Sequence, residues 1–327
     1  MKAMVYTEYG SPDVLNLKEI DKPVPKNDEV LIKVRAAALN AGDWHLLRGD
    51  PFLIRIMGFG FFKPKNQILG SDVAGIVEAV GSNAKQFKPG DEVFGDLSGS
   101  GFGGFAEYVA APEKAFNFKS SNMPFDKMAA VPISGLTALQ GLRDKGQIQP
   151  GKRVLINGAS GGVGTFAVQL AKSFGAEVTA VCSTKNLEMV RSLGADKVID
   201  YTKEDFTKSG ERYDIILAVS GNYSMGDYKR SLKPGGIYVG IGGSMSQMFR
   251  AMLYGPWINM SGNKKITTLI QKQSQSDLAY LKKLIDEGKL DPVIERSYNL
   301  SELPDAIRYV EAGHAGGKVI IQMIDNH

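Results

Sequence analysis

The sequence predicts an α/β protein in which a doubly wound parallel sheet is joined to a second, β-rich domain. Three observations carry that prediction. Strand-like and helix-like segments alternate from Arg153 onward, and a glycine-rich turn links the first strand of the series to its helix. Short strand-like runs broken by Gly and Pro fill the N-terminal part of the chain.

The alternating series opens on Val154-Leu155-Ile156, an apolar β-branched run suited to a strand buried on both faces. After a glycine cluster, Val163, Phe166, Ala167, Leu170 and Ala171 recur at helical spacing. Between them, Ala159-Ser160-Gly161-Gly162-Val163-Gly164 follows the G-x-G-x-x-G pattern with Ala in its first position. Such glycines let the backbone approach a pyrophosphate, and the following helix offers free N–H groups to it. Ser160, Gly161, Gly162, Val163 and Gly164 are therefore candidate cofactor contacts.

A glycine loop alone could be a plain turn; the context decides. Glu177–Cys182 begins where the second strand of a βαβ unit should begin. Further strand-like runs follow at Lys197–Asp200, Asp214–Val219, Ile237–Ile241 and Lys265–Ile270, with helix-like segments at Asn186–Leu193 and Tyr223–Leu232. The sequence thus predicts a Rossmann nucleotide site rather than an α/β scaffold with an empty crevice.

With 327 residues the chain is long enough for two domains. Its 43% hydrophobic and 23% charged content suits a soluble globular protein, and a net charge of +4 without any basic block gives no footprint for nucleic acid. Cys182 is the single cysteine, which excludes an intramolecular disulfide and a cysteine-built zinc lobe. The start, Met1 to Glu8, reads as a strand and not a signal peptide, and no apolar run reaches the ~18 residues of a membrane span. The expectation is a soluble, cytoplasmic protein with no integral membrane segment.

Residues 1–118 contain alternating runs such as Glu29–Arg35 and Val73–Val80, punctuated by Pro23, Pro25, Gly70, Gly75, Gly81 and Pro89-Gly90. Within them Asn40–Gly49 gathers polar groups beside aromatics. His45 there is either a proton carrier, since histidine titrates near neutrality, or a capping or surface residue of a short helix. Phe52–Phe62 is strongly apolar, read either as a lip over a pocket or as packing against its own domain. A second such stretch, Met245–Trp257, holds Met248, Phe249, Met252, Leu253, Tyr254 and Trp257. Phe125–Leu142, Ser276–Gly288 and Ser301–Ala312 have helical spacing, and Lys318–Gln322 closes the chain as a strand. The last pieces share the β-rich character of the first. The expected division is residues 1–118 with 275–327 for the β-rich domain and 119–274 for the dinucleotide domain.

Several motifs in order carry a family resemblance: Met1-Lys-Ala, Gly70-Ser-Asp-Val-Ala-Gly75 with Val80-Gly81, Lys88–Phe94, Gly104–Tyr108 and Gly158–Gly164. The chain resembles the medium-chain dehydrogenase/reductase superfamily, in its zinc-free, zeta-crystallin-like quinone and enone reductase branch. The resemblance implies a GroES-like catalytic domain made from both chain ends, a Rossmann domain between them, and an active site in the cleft. Where zinc alcohol dehydrogenases carry a ligand cysteine, this chain has Asn40; where they carry Gly-His-Glu, it has Gly70-Ser71-Asp72. Neither thiolate nor imidazole is offered, so no metal is expected. His45 falls where zinc dehydrogenases place a proton-relay histidine and quinone reductases a tyrosine. Asn40 and Thr137 hold family positions facing nicotinamide and substrate, and Tyr201 one flanking the adenosine end.

Charge argues the choice of cofactor. Enzymes selecting NAD end the second strand on Asp or Glu, which binds the ribose 2′-OH. Here Ser183, Thr184 and Lys185 stand there, two hydroxyls and an ammonium suited to a 2′-phosphate, so NADPH is expected; the alternative for Lys185 is a surface lysine. Gly242 and Gly243 would admit the nicotinamide ring, and Lys318 completes the expected cofactor set. The implied function is hydride transfer from NADPH to a small hydrophobic quinone, or to the C=C bond of an α,β-unsaturated ketone or aldehyde. The alternatives are an alcohol-forming carbonyl reductase and a catalytically silent NADPH-binding module. Lys265–Ile270, as the last Rossmann strand, is the expected homodimer edge.

Overall fold

A computed structural model describes residues 1–220, 223–242, 263–313 and 315–323, apart from the side chain of Met57. It divides into two compact units, Met1–Leu136 with Lys272–His327, and Thr137–Gln271.

The first unit is the GroES-like one. β1 (Lys2–Val5) pairs with β2 (Asn16–Glu19). The main sheet contains β3 (Glu29–Leu39), β4 (Asp72–Val80), β5 (Glu92–Asp96), β6 (Tyr108–Pro112) and β7 (Phe116–Phe118). The second unit supplies β8 (Arg153–Asn157), β9 (Glu177–Cys182), β10 (Lys197–Asp200), β11 (Tyr213–Ala218), β12 (Leu232–Gly240) and β13 (Lys265–Thr268). The chain then returns to the first sheet with β14 (Ile294–Asn299) and β15 (Lys318–Gln322). That sheet runs β14-β15-β3-β4-β5-β7, with β6 also paired to β3.

The long strand β3 is the spine. Val30, Ile32, Val34, Ala37 and Leu39 pack with Val73 and Val77 of β4, Val319 and Ile321 of β15, and Leu303, Ala306 and Ile307 of the helix Leu303–Glu311. Burying a side chain of this size contributes about 1.5–3 kcal/mol, so the strand ends are firmly placed.

The expected domain boundary at 118/119 differs from the division at 136/137. Pro132 starts a new helix, so the periodic stretch Phe125–Leu142 becomes helices Phe125–Ala129 and Pro132–Gln140 and a π-helical turn Gly141–Lys145. The Ile133 N–H donates to the Asp72 carboxylate (2.9 Å), which ties the start of the second helix to β4. A β-carbon at Gly135 would lie 2.9 Å from the Leu281 side chain, so this helix also lies close against Gln275–Asp286.

The second unit is all parallel in the order β10-β9-β8-β11-β12-β13. This 3-2-1-4-5-6 arrangement is that of dinucleotide-binding sheets, in which ligands bind where the order reverses. Here the reversal falls at β8, between β9 and β11. Among the described residues, no helix is long and apolar enough to cross a membrane.

Candidate active site

In the second unit the chain leaves β8 at Asn157 and enters the helix Gly162–Ser173 through the glycine turn. Gly158 takes φ +89°, and a β-carbon there would lie 2.7 Å from Ser220. At Gly164 a β-carbon would run into the Gly158 carbonyl oxygen and sit 2.7 Å from the Ala159 backbone. These two glycines let the turn close. Gly161 differs: its nearest neighbour to an added β-carbon is 3.8 Å away, leaving an open face beside the helix N-terminus. The turn is fixed from below by the Gly158 and Ala159 N–H groups, which donate to the Val181 carbonyl of β9 (3.2 and 3.0 Å). Ser160 and Val163 flank the open face, partly exposed. The cradle fits a pyrophosphate, with the helix N–H groups as donors.

At the end of β9, Ser183, Thr184 and Lys185 form a short 3-10 turn with Asn186. The Thr184 hydroxyl donates to Asp200 (2.6 Å), which closes β10 and also accepts from the Thr202 N–H and hydroxyl (3.0 and 2.7 Å). The Thr184 hydroxyl, foremost, holds the Asp200 carboxyl below the ordinary carboxylate range. A threonine hydroxyl has one hydrogen, so Thr184 cannot donate to a phosphate while it donates to Asp200. Ser183 is partly exposed, and Lys185 and Tyr201 are exposed. Sequence reading overlooked Asp200; its signal was an acid closing a strand next to the cofactor strand. Thr137 is buried on the helix Pro132–Gln140, and Gly242 follows β12. Gly243 and the stretch Met245–Trp257 lie outside the described residues.

In the first unit three adjacent strand ends meet. The register Val319↔Leu39 brings Lys318 of β15 opposite Asn40, while Ala38↔Asp72 sets Asp72 of β4 on the other side. Lys318 Nζ donates to Asn40 Oδ1 (2.7 Å) and pairs with Asp72 Oδ2 (3.0 Å). Asn40 Nδ2 donates to the same Asp72 oxygen (3.0 Å). Asp43, one turn into the helix Ala41–Arg48, accepts from the N–H groups of Asn40 (2.8 Å) and Gly70 (3.2 Å). Burial pushes Asp43 up to about 7; the Asn40 N–H opposes this and the Asp72 carboxylate adds to it. Asp72 is raised as well, by burial, with Lys318 opposing.

Lys318, expected among the cofactor contacts, is therefore a buried partner of Asn40 and Asp72. Their link was hidden in the sequence because 278 and 246 residues separate Lys318 from them. His45 belongs to the same helix as Asp43, its ring stacked on Trp44 with centroids 3.5 Å apart. Its Nδ1 lies 2.8 Å from the Asp50 carbonyl oxygen, which can only accept, so the hydrogen sits on Nδ1 and the neutral ring leaves Nε2 as an acceptor.

The donor set at the position where zinc relatives bind their metal does not suit a cation. Asn40 and Ser71 are neutral, and the Asp72 carboxylate already carries the Lys318 ammonium. In the lip segment, Phe52, Leu53, Ile56, Phe61 and Phe62 are exposed. Its base is anchored: the Tyr9 hydroxyl meets the Phe59 and Gly60 carbonyls (3.0 and 2.6 Å), and Arg55 donates to the Gly49 carbonyl (3.0 Å).

Family models match in both units: an alcohol dehydrogenase GroES-like domain over residues 26–120, and a zinc-binding dehydrogenase domain over 193–321. Quinone-oxidoreductase QR1, chloroplastic, of Triphysaria versicolor is 36% identical, with 98% of each chain covered. The NADPH-dependent alkenal/one oxidoreductase, chloroplastic, of Arabidopsis thaliana is 37% identical over 99% of this chain and 80% of the relative. Among solved structures, the quinone oxidoreductase from Coxiella burnetii superposes with a TM-score of 0.86 at 31% identity, covering 99% of each chain. These relatives correct the expectation of a cytoplasmic protein: two are named chloroplastic and others mitochondrial, which points to organelles. Fold, motif order and likeness along nearly the whole chain lead to one assignment: this protein belongs to the medium-chain dehydrogenase/reductase superfamily, in its quinone oxidoreductase and enone reductase branch.

Proposed function

We propose that the protein is an NADPH-dependent oxidoreductase that reduces quinones or the C=C bond of α,β-unsaturated ketones and aldehydes. The observation that carries this reading is the open glycine cradle at the reversal point of a six-stranded parallel sheet. The names of the alkenal/one and quinone oxidoreductases, 37% and 36% identical to this chain, support the acceptor class. When bound, NADPH supplies the hydride. Gly161 and the N–H groups that open the helix Gly162–Ser173 would hold its pyrophosphate, and Ser183 and Lys185 its 2′-phosphate, with Tyr201 beside the adenosine.

The residues of the first unit act without a metal. Asn40, partly buried, orients the acceptor's oxygen by hydrogen bonding. Hydride addition to the β-carbon of an enone leaves the α-carbon needing a proton. His45 can deliver one only as the imidazolium, because its neutral ring presents a bare Nε2. Otherwise it holds a water by accepting from it.

The test is a panel of quinones, alkenals and enones assayed with NADPH and NADH side by side, with products identified. Saturated ketone from an enone supports the reading. Allylic alcohol would make the protein a carbonyl reductase, and tight NADPH binding without turnover on any acceptor would make it a binding module. Activity should persist in a strong chelator; one tightly held zinc per chain whose removal abolishes turnover would overturn the metal-free reading.

A further inference from the structure

The buried ion pair beside Asn40 needs an explanation that stability does not supply. Asp72 is fully buried and the Lys318 side chain is 3% exposed. Taking two charges out of water costs several kcal/mol per ion, and their attraction repays this only partly, so well-packed apolar residues would serve stability as well or better. What the pair does achieve is visible in the hydrogen bonds of Asn40.

An ammonium can only donate and an ionised carboxylate can only accept. The Asn40 oxygen must therefore face Lys318, and its nitrogen must face Asp72. A flipped amide would set NH₂ against ammonium and carbonyl against carboxylate, two repulsive contacts in a buried site. Nδ2 carries two hydrogens, and Asp72 takes one. The second has no partner among the described residues. Of the three side chains, only Asn40 is more than slightly exposed.

We propose that Lys318 and Asp72 are positioning residues that lock the Asn40 carboxamide in one orientation, presenting its spare Nδ2 hydrogen to the carbonyl oxygen of the acceptor. The inference rests on the activity proposed above and names how that site holds its substrate. The ammonium on Oδ1 also polarises the amide, and chained hydrogen bonds strengthen one another by roughly 10–30%. The spare N–H is thus a better donor to an oxygen that gains negative charge as hydride arrives on the carbon framework. The proton itself comes from elsewhere, because Asn40 keeps its hydrogens.

The double variant Lys318→Met/Asp72→Asn removes both charges and keeps an oxygen for the Ile133 N–H. Four quantities are compared with the wild type: melting temperature, NADPH affinity by the fluorescence of the bound cofactor, kcat, and the carbonyl stretch of a bound enone by difference infrared. The expected result is unchanged folding and NADPH affinity, kcat about ten-fold lower or less, which is about 1.4 kcal/mol, and loss of the downshift of the carbonyl band. Asn40→Leu should lose the same downshift. Wild-type kcat and band in the double variant would leave the pair a structural feature and overturn the proposal. A parallel fall in NADPH affinity would make Lys318 a cofactor ligand and overturn it too.

Should the double variant not fold, selective ¹⁵N-asparagine labelling of the wild type decides. In a locked Asn40 one amide hydrogen is protected from exchange with water by Asp72 and the other moves when the enone is added; a pair of hydrogens that exchanges as fast as that of an exposed asparagine overturns the locking. A wild type that turns over no quinone or enone rejects the activity instead, and the band of the bound enone still judges the role of Asn40.

Discussion

Asp43 carries a testable charge. It is 1% exposed beneath the first turn of its helix, and its carboxyl, about 3.8 when free, rises to about 7 in the fold. Between those values the folded protein holds one more proton than the unfolded chain. The stability this contributes is complete below about pH 4 and is lost as pH rises to about 7. Asp43→Asn should therefore flatten the fall of unfolding free energy between about pH 5 and 7 by roughly 1.4 kcal/mol per pH unit. Urea titrations at several pH values measure this; equal slopes in both proteins would show that Asp43 is ionised throughout. At the cofactor end, Lys185 bears the proposed charge contact now that Thr184 is committed to Asp200. Lys185→Ala should raise the KM for NADPH roughly ten-fold, as expected for a charge-assisted bond of about 1.5–3 kcal/mol, and leave that for NADH nearly unchanged. Equal effects on both cofactors would give Lys185 a structural part instead.

Elements with strong periodicity were legible to within a residue or two. Glu177–Cys182 and Lys197–Asp200 coincide with β9 and β10, and Asp214–Val219 is shifted by one from β11. β12 begins five residues earlier than its apolar run, because Lys233-Pro-Gly-Gly236 is carried as a bulge where the pairing skips from Tyr213↔Leu232 to Ile215↔Ile237. No local pattern announces such a bulge. The Asn40–Asp72–Lys318 group was opaque for a related reason. Each residue was visible as a polar group at the end of an apolar run, but only the register of β15, β3 and β4 makes them neighbours. The glycine turn was readable as a motif, and the structure now separates the roles within it. Gly164→Ala meets backbone and should destabilise the unit by several kcal/mol, since neither the Gly158 carbonyl nor Ala159 can move without breaking the turn. Gly161→Ala meets nothing closer than 3.8 Å and should fold normally, yet bind NADPH more weakly by at least ten-fold because the methyl occupies the cradle. Thermal melts and cofactor titrations on the pair check this; similar melting losses in both variants would refute the division of roles.

At the scale of the whole molecule, the discontinuous first domain was legible because the C-terminal pieces had the same short-strand character as the N-terminal ones. Its expected limit at 118/119 differs from the division at 136/137, because the bonds that tie the intervening helices to the first unit, such as Ile133 to Asp72, join residues far apart in sequence. The same scale sets the last prediction, which concerns the far edge of the parallel sheet. In the parallel sheet β13 stands last, paired with β12, and so forms its edge. An unprotected edge is a template for pairing with another chain, and soluble proteins cover, charge or twist such edges. Here Lys265 supplies one charge at the start, but Ile270, just past the strand, is 79% exposed. Pairing two copies edge to edge would remove that side chain from water. The protein should therefore be a homodimer of about twice 35.4 kDa by light scattering at micromolar concentration. Ile270→Lys should shift it toward monomer without lowering its melting temperature at the level of the single chain, because the side chain makes little contact within its own unit. A wild type that scatters as a monomer throughout the micromolar range would refute the pairing.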